Sequence, residues 1–206
     1  MTSRTTERQG LARPPGRPRS PEADRAILDA ALDLFVEQGF EAMSMEGIAA
    51  RAGVGKTTIY RRWPSKETLI VAGIDELIFD VRPPDTGTLR QDLVEVLVQI
   101  QTIMTSSRAG ALFPRMAAHV AEGTPLGRTY LERVIQPRFV MFQGIVARGV
   151  ERGELPADVD PELIRGLLLG PVLMWKLMRR LHRQGARDRA ERIVDVVLGG
   201  LSRPSA

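Results

Sequence analysis

Apolar residues recur at Ile27, Ala30, Ala31, Leu34 and Phe35, a spacing of three and four that places them along one side of a helix. Ser20-Pro21-Glu22 gives this helix an N-cap and a proline at its first position, and Gln38-Gly39 ends it. Ser44 caps a second, short helix whose apolar side is Ile48, Ala49 and Ala52, and Gly53-Val54-Gly55 breaks it. A third short helix is predicted from Lys56 to about Trp63, ahead of Pro64. Ser65 caps a fourth, from Lys66 to about Phe79, which Pro83-Pro84 terminates.

The remainder reads as helix too. Thr88-x-x-Gln91 is a capping-box pattern, followed by Leu89, Leu93, Val96, Leu97, Ile100, Ile103 and Met104 on one face. A segment from about Ala109 to Val120 is expected to be interrupted at Pro114, and another from Thr124-Pro125 to Glu151 to be kinked at Pro137. Asp160-Pro161-Glu162 opens the next, and the last runs from about Asp188 to Leu201. No strand and no repeat is predicted. Residues 1–19, with Pro14, Pro15 and Pro18 and almost nothing apolar, read as a disordered basic arm. The expected organisation is all-α, with the arm at 1–19, a first helical domain at 20–66 and a second helical domain at 67–206. The most apolar stretch, Leu163 to Leu181, is broken by Arg165, Gly166, Gly170, Pro171 and Lys176, and the N-terminus lacks a signal-peptide core. A cytoplasmic protein without a membrane partner is expected.

Two short helices joined by a three-residue, glycine-containing turn form a helix-turn-helix, whose second helix enters the DNA major groove. Ala49 and Ala52 are small enough for the helix crossing. In the third helix Ile59 and Trp63 face inward, which leaves Lys56, Thr57, Tyr60 and Arg61 on the opposite stripe. Arginine suits guanine O6 and N7, while Thr57, Thr58 and Tyr60 suit phosphates or thymine methyls. Lys66, in the first turn of its helix, is placed to meet a phosphate.

Charge placement strengthens this reading. The net charge is only +4, but the first 20 residues carry five arginines against the single Glu7, and no acid lies between Arg51 and Lys66. Gly16-Arg17-Pro18-Arg19 is similar to the core of AT-hook segments, so Arg17 and Arg19 are candidates for a minor groove.

Gly39-Phe40, Ser44, Ile48-Ala49, Ala52-Gly53-Val54 and the run from Lys56 through Arg61, Arg62, Trp63, Pro64, Ser65 and Lys66 to Leu69 resemble the N-terminal domain of tetracycline-repressor (TetR) family regulators. Gly55 departs from the Ser or Ala common there. The segments Gly153 to Leu163 and Leu168 to Pro171 also look like a C-terminal domain found in such regulators. The resemblance implies a DNA-binding transcriptional regulator, a repressor that binds a palindromic operator as a homodimer. It also implies a helical C-terminal domain for dimerisation and for a small-molecule effector that releases DNA. Ser44 and Arg62 join the DNA-contact candidates on this basis.

For the effector, Met104, Phe113, Met116, His119, Phe139, Phe142, Met174, Trp175 and Met178 are the candidate lining, since soft and aromatic side chains suit a partly apolar ligand. For dimerisation, Leu167, Leu168 and Trp175, with Val194, Val197, Leu198 and Leu201, form apolar stripes on the last two helices. The absence of cysteine and the presence of only His119 and His182 argue against disulfides, thiolate sites and a His-rich zinc site. No catalytic constellation, cofactor or metal is expected. Ala50 to Thr57 fits a relaxed phosphate-loop pattern, but such a loop must follow a strand and here follows a predicted helix. A nucleotide-binding protein and a non-specific architectural DNA protein are the alternative readings.

Overall fold

The computed structural model describes residues 21–78 and 82–201. Ten α-helices follow one another, with no strand among the described residues: α1 (Pro21–Gln38), α2 (Met45–Ala52), α3 (Lys56–Tyr60), α4 (Lys66–Leu77), α5 (Leu89–Ser106), α6 (Arg108–Ala121), α7 (Pro125–Tyr130), α8 (Gln136–Glu151), α9 (Pro161–Leu177) and α10 (Ala186–Leu201). The expected caps form. Ser44, Ser65, Thr88, Thr124 and Asp160 each accept a backbone N–H from the first turn that follows. Gly39 and Gly53 take positive φ, +82° and +66°, where the chain leaves α1 and α2. Ser20 and the arm lie outside the described residues, as do Arg17 and Arg19.

Three helix boundaries differ from expectation. α3 ends at Tyr60, because Pro64 forces Trp63 away from helical geometry and the chain closes early, with Arg62 and Trp63 both donating to the Ile59 carbonyl. α6 runs through Pro114 without interruption. At Pro137 the chain forms a π-helical turn over Leu131–Ile135 that joins α7 to α8; the wider turn leaves room for the proline ring and its missing N–H.

Two apolar cores result. The first joins α1 to α4 with Ala109, Leu112 and Met116 of α6, Leu126 and Tyr130 of α7, and Val134. The second is built by α5, α8, α9 and α10 around Leu93, Leu97, Ile145, Ile164 and Val194. Residue 66 therefore opens a helix whose buried side belongs to the same core as the helix-turn-helix. Arg108 of α6 donates to Asp29 and Asp33 of α1 at 2.9 and 2.8 Å, and Arg115 donates to the Phe35 carbonyl at 2.6 Å. These contacts dock the first helices on the rest of the chain.

Candidate DNA interface and effector cavity

The short α2 and α3 cross through small residues, as the spacing requires. Ile48, Ala49 and Ile59 are buried, Ala52 and Trp63 are half-buried against the same core, and Lys56, Thr57, Tyr60 and Arg61 remain exposed on α3 and just beyond it. Thr58 is half-buried. Ser44 is exposed, and its hydroxyl accepts the Gly47 N–H at 3.0 Å, so its first role is as the α2 cap. Gly55 caps α3 without a side-chain bond.

The five cations that follow one another in sequence have separate fates in space. Arg51 grips Glu37 of α1 with two bonds of 2.8 and 2.7 Å, and this hydrogen-bonded pairing holds the Glu37 carboxyl below its usual range. Lys56 lies 2.7 Å from Glu46, whose carboxyl is likewise lowered, first by that hydrogen bond. Arg62 turns back to pair with Asp24 of α1, with its side chain only 16% exposed, so it secures the end of α3 instead of projecting outward. Lys66 donates to the carbonyls of Phe40 and Met43 at 3.0 and 3.1 Å and lies 4.6 Å above the Phe40 ring. The ammonium expected to meet a phosphate is thus engaged within the chain. It closes the α1–α2 loop, because two convergent carbonyls 23 and 26 residues earlier meet it there. Arg61 alone of the five has no side-chain partner among the described residues.

A cavity of about 350 Å³ opens in the C-terminal half. Of the expected lining, Met104, Phe113, Phe139 and Phe142 border it. Met116 does not: it is fully buried in the first core. His119 does not either; its Nδ1 pairs with the Thr124 hydroxyl at 3.1 Å, and its ring packs on Phe35 and Phe40. Met174, Trp175 and Met178 fall outside because α9 presents Arg165, Gly166, Leu169, Gly170 and Leu173 to the cavity, and the next residue round a helix lies about 100° away. Met174 and Met178 are exposed instead.

Residues not anticipated here include Arg138, Arg165 and Tyr130. Arg165 was visible in the sequence as the charge that breaks the most apolar run. Arg138 gave no signal, since its partners lie on α4. Burial pushes the Tyr130 phenol up to about 12, against the opposing pull of Arg138, so it is a neutral hydroxyl at ordinary pH.

On the outer side of α9 and α10 an apolar stripe is exposed: Leu163, Leu167, Met174, Leu177 and Met178, with Val196 at 77%. Leu167 therefore stands where a dimer contact was expected. Leu168, Val194 and Val197 do not, because they are buried in the second core of their own subunit, and half-buried Leu198 and Leu201 pack on that core. Trp175 is half-buried.

An exposed recognition stripe on a helix-turn-helix, carried by an all-helical body with its own cavity, defines a DNA-binding regulator. Residues 27–72 match the family described as "Bacterial regulatory proteins, tetR family", and residues 83–197 match "Tetracyclin repressor-like, C-terminal domain". The chain is 34% identical over 185 residues to a DNA-binding transcriptional repressor TetR of Mycobacteroides abscessus, covering 88% of this chain and 94% of that one. It is 35% identical over 158 residues to the HTH-type transcriptional regulator YdeS of Bacillus subtilis (strain 168), covering 76% and 79%. Among solved structures, a flavonoid-responsive regulator, FrrA, superposes with a TM-score of 0.68 at 25% identity, covering 90% of this chain and 100% of that one. The protein belongs to the TetR family of helix-turn-helix transcriptional regulators. That family is one of regulators, not of enzymes. The phosphate-loop alternative lacks its strand, since α2 occupies the place where one would stand, and no helix among the described residues is long and apolar enough to cross a membrane.

Proposed function

We propose that the protein is a cytoplasmic repressor that binds a palindromic operator as a homodimer and leaves it when a small molecule fills the C-terminal cavity, with no reaction step of its own. The observation that carries the DNA contact is Arg61, an exposed arginine without an acidic partner among the described residues, beside exposed Tyr60, Thr57 and Lys56. Arg61 is the base reader in this reading. Tyr60, Thr57 and Thr58 contact the backbone or thymine methyls, and Ser44 adds a phosphate contact from the start of α2. Lys56 reaches DNA by leaving Glu46, an exposed pairing that costs little to exchange. Arg17 and Arg19 extend the footprint into a minor groove. Support for the homodimer comes from the apolar stripe headed by Leu163 and Leu167, a surface suited to a self-complementary contact.

Selection of bound fragments from the source genome, followed by titration of the selected site, tests this. Arg61→Ala is expected to cost about 1–3 kcal/mol on the preferred site and to change the preferred sequence, whereas Tyr60→Ala weakens all sites alike. If Arg61→Ala leaves affinity and preference intact, the recognition face is misassigned; equal binding to all fragments would instead establish an architectural protein.

A further inference from the structure

The cavity walls are largely apolar, and among the lining residues only Arg138 and Arg165 carry a charge, Tyr130 adding a neutral phenol. Arg165 of α9 lies flat over the Phe139 ring, 3.4 Å from its centroid, with one arm donating to Glu162 at 2.9 Å. Glu162 is 79% exposed, so that pairing is screened by water and readily exchanged. Arg138 of α8 donates to the Val134 carbonyl at 2.6 Å, to Asp75 at 3.0 Å and to the Ile78 carbonyl at 3.2 Å. The Arg138 residue borders the cavity, so a guanidinium already committed to Asp75 stands within reach of a charge bound there. Asp75 and Ile78 stand at the end of α4, the helix that begins directly after the recognition helix and its loop. A neutral apolar ligand would leave both guanidinium groups as they are; an anion would not.

Resting on the effector-release reading above, we propose that the cavity binds an apolar monoanion, of which a medium-chain carboxylate is the simplest, with its charge held by Arg165 and Arg138. The same charge competes with Asp75 for Arg138 and so loosens the tie between α8 and the end of α4. At roughly 30 Å³ per heavy atom the space holds about a dozen such atoms, the size of decanoate. By linkage, an anion that binds better when α4 is released must weaken the DNA-competent arrangement by the same factor.

Calorimetric titration of the full chain, free of DNA, with sodium decanoate and with decan-1-ol isolates the cavity from the operator. Decanoate is expected to bind about tenfold or more tightly than the alcohol, and Arg165→Gln to remove most of that preference. Asp75→Asn removes the competitor and is expected to strengthen decanoate binding about threefold. Because the Asp75 side chain is 47% exposed, this variant is expected to fold, and it reads the role of Arg138 without substituting the arginine. Equal binding of acid and alcohol, binding of neither, or indifference of decanoate to both Arg165→Gln and Asp75→Asn overturns the proposal. Operator binding measured separately keeps the two readings apart: loss of DNA recognition with decanoate binding intact counts against the repressor assignment alone.

Discussion

Lys66 shows how a cation in a recognition motif can serve the fold. Its ammonium satisfies two carbonyls that would otherwise face each other across the α1–α2 loop, and hydrogen bonds to charged groups contribute about 1.5–3 kcal/mol each way of counting. Lys66→Met keeps the stem over the Phe40 ring but removes the donors. It is expected to lower unfolding free energy by about 2 kcal/mol in urea titrations, with any loss of DNA affinity following from the loosened loop. Arg61→Ala, by contrast, removes nothing the folded chain uses and should leave stability within about 0.5 kcal/mol. Phase on the helix was enough to single out Tyr60 and Arg61 from the sequence. It could not separate Arg62 and Lys66 from them, because Asp24, Phe40 and Met43 come from α1 and the loop after it, and nothing local signals their approach.

At the scale of elements, helix joints decide more than helix propensity does. Gly127 opens α7 so close to the end of α6 that a Cβ there would fall inside the His119 carbonyl. Gly127→Ala must therefore push α7 from α6, at an expected cost of about 3 kcal/mol in thermal or urea unfolding. The start of α5 is held by a charge cluster. Asp92 is fully buried and accepts the Thr86 N–H at 2.7 Å and the Thr86 hydroxyl at 2.8 Å, while Arg148 of α8 and Arg152 just after it approach at 3.6 and 3.5 Å. Burial alone would raise this carboxyl, but the Thr86 bonds and the two arginines outweigh it and leave it below the ordinary value. A lowered folded value means that its stabilisation is complete above the unfolded value, near 4, and is lost as pH falls through the folded one. Wild-type protein is thus expected to lose stability below about pH 4 more steeply than Asp92→Asn, which at neutral pH starts about 2 kcal/mol lower; parallel urea titrations at pH 7 and pH 3 read both. Sequence patterning placed helix along the same stretches, yet it read α7 and α8 as one helix simply kinked at Pro137 and took Pro114 as a break. Whether a helix absorbs a proline depends on what packs around the freed carbonyl, and that is set by neighbours far along the chain.

For the whole molecule, the apolar stripe on α9 and α10 and the recognition helix form one prediction. Leu167→Glu places a charge in the centre of the proposed self-contact and touches neither core, so sedimentation is expected to show a dimer for wild type and a monomer for the variant. If a dimer neutralises about eight phosphates, the slope of log affinity against log salt is roughly −7; a monomer should fall to about half of that. An unchanged sedimentation coefficient would place the dimer contact elsewhere. The two cores also explain how a cavity in the second half can affect α3. α4 and α6 belong to the first core, Arg138 joins α8 to the end of α4, and Arg108 joins α6 to α1.

The sequence alone determined the local matters: the capped helix starts, the small residues at the α2–α3 crossing, the inward phase of Ile59 and Trp63, and the resemblance that names the family. These depend on spacing within a few residues, where capping and periodicity act. Only the tertiary structure decided which cations are free, which apolar residues line the cavity and which are left outside. Leu167 and Leu168 are neighbours of the same chemistry, one half-exposed at 47% and one buried at 1%, and only the packing of α5, α8 and α10 against α9 separates them. Charge works the same way: a cation's role is set by the nearest acid or carbonyl in space, and for Arg51, Arg62, Lys66 and Arg138 that partner lies on another element.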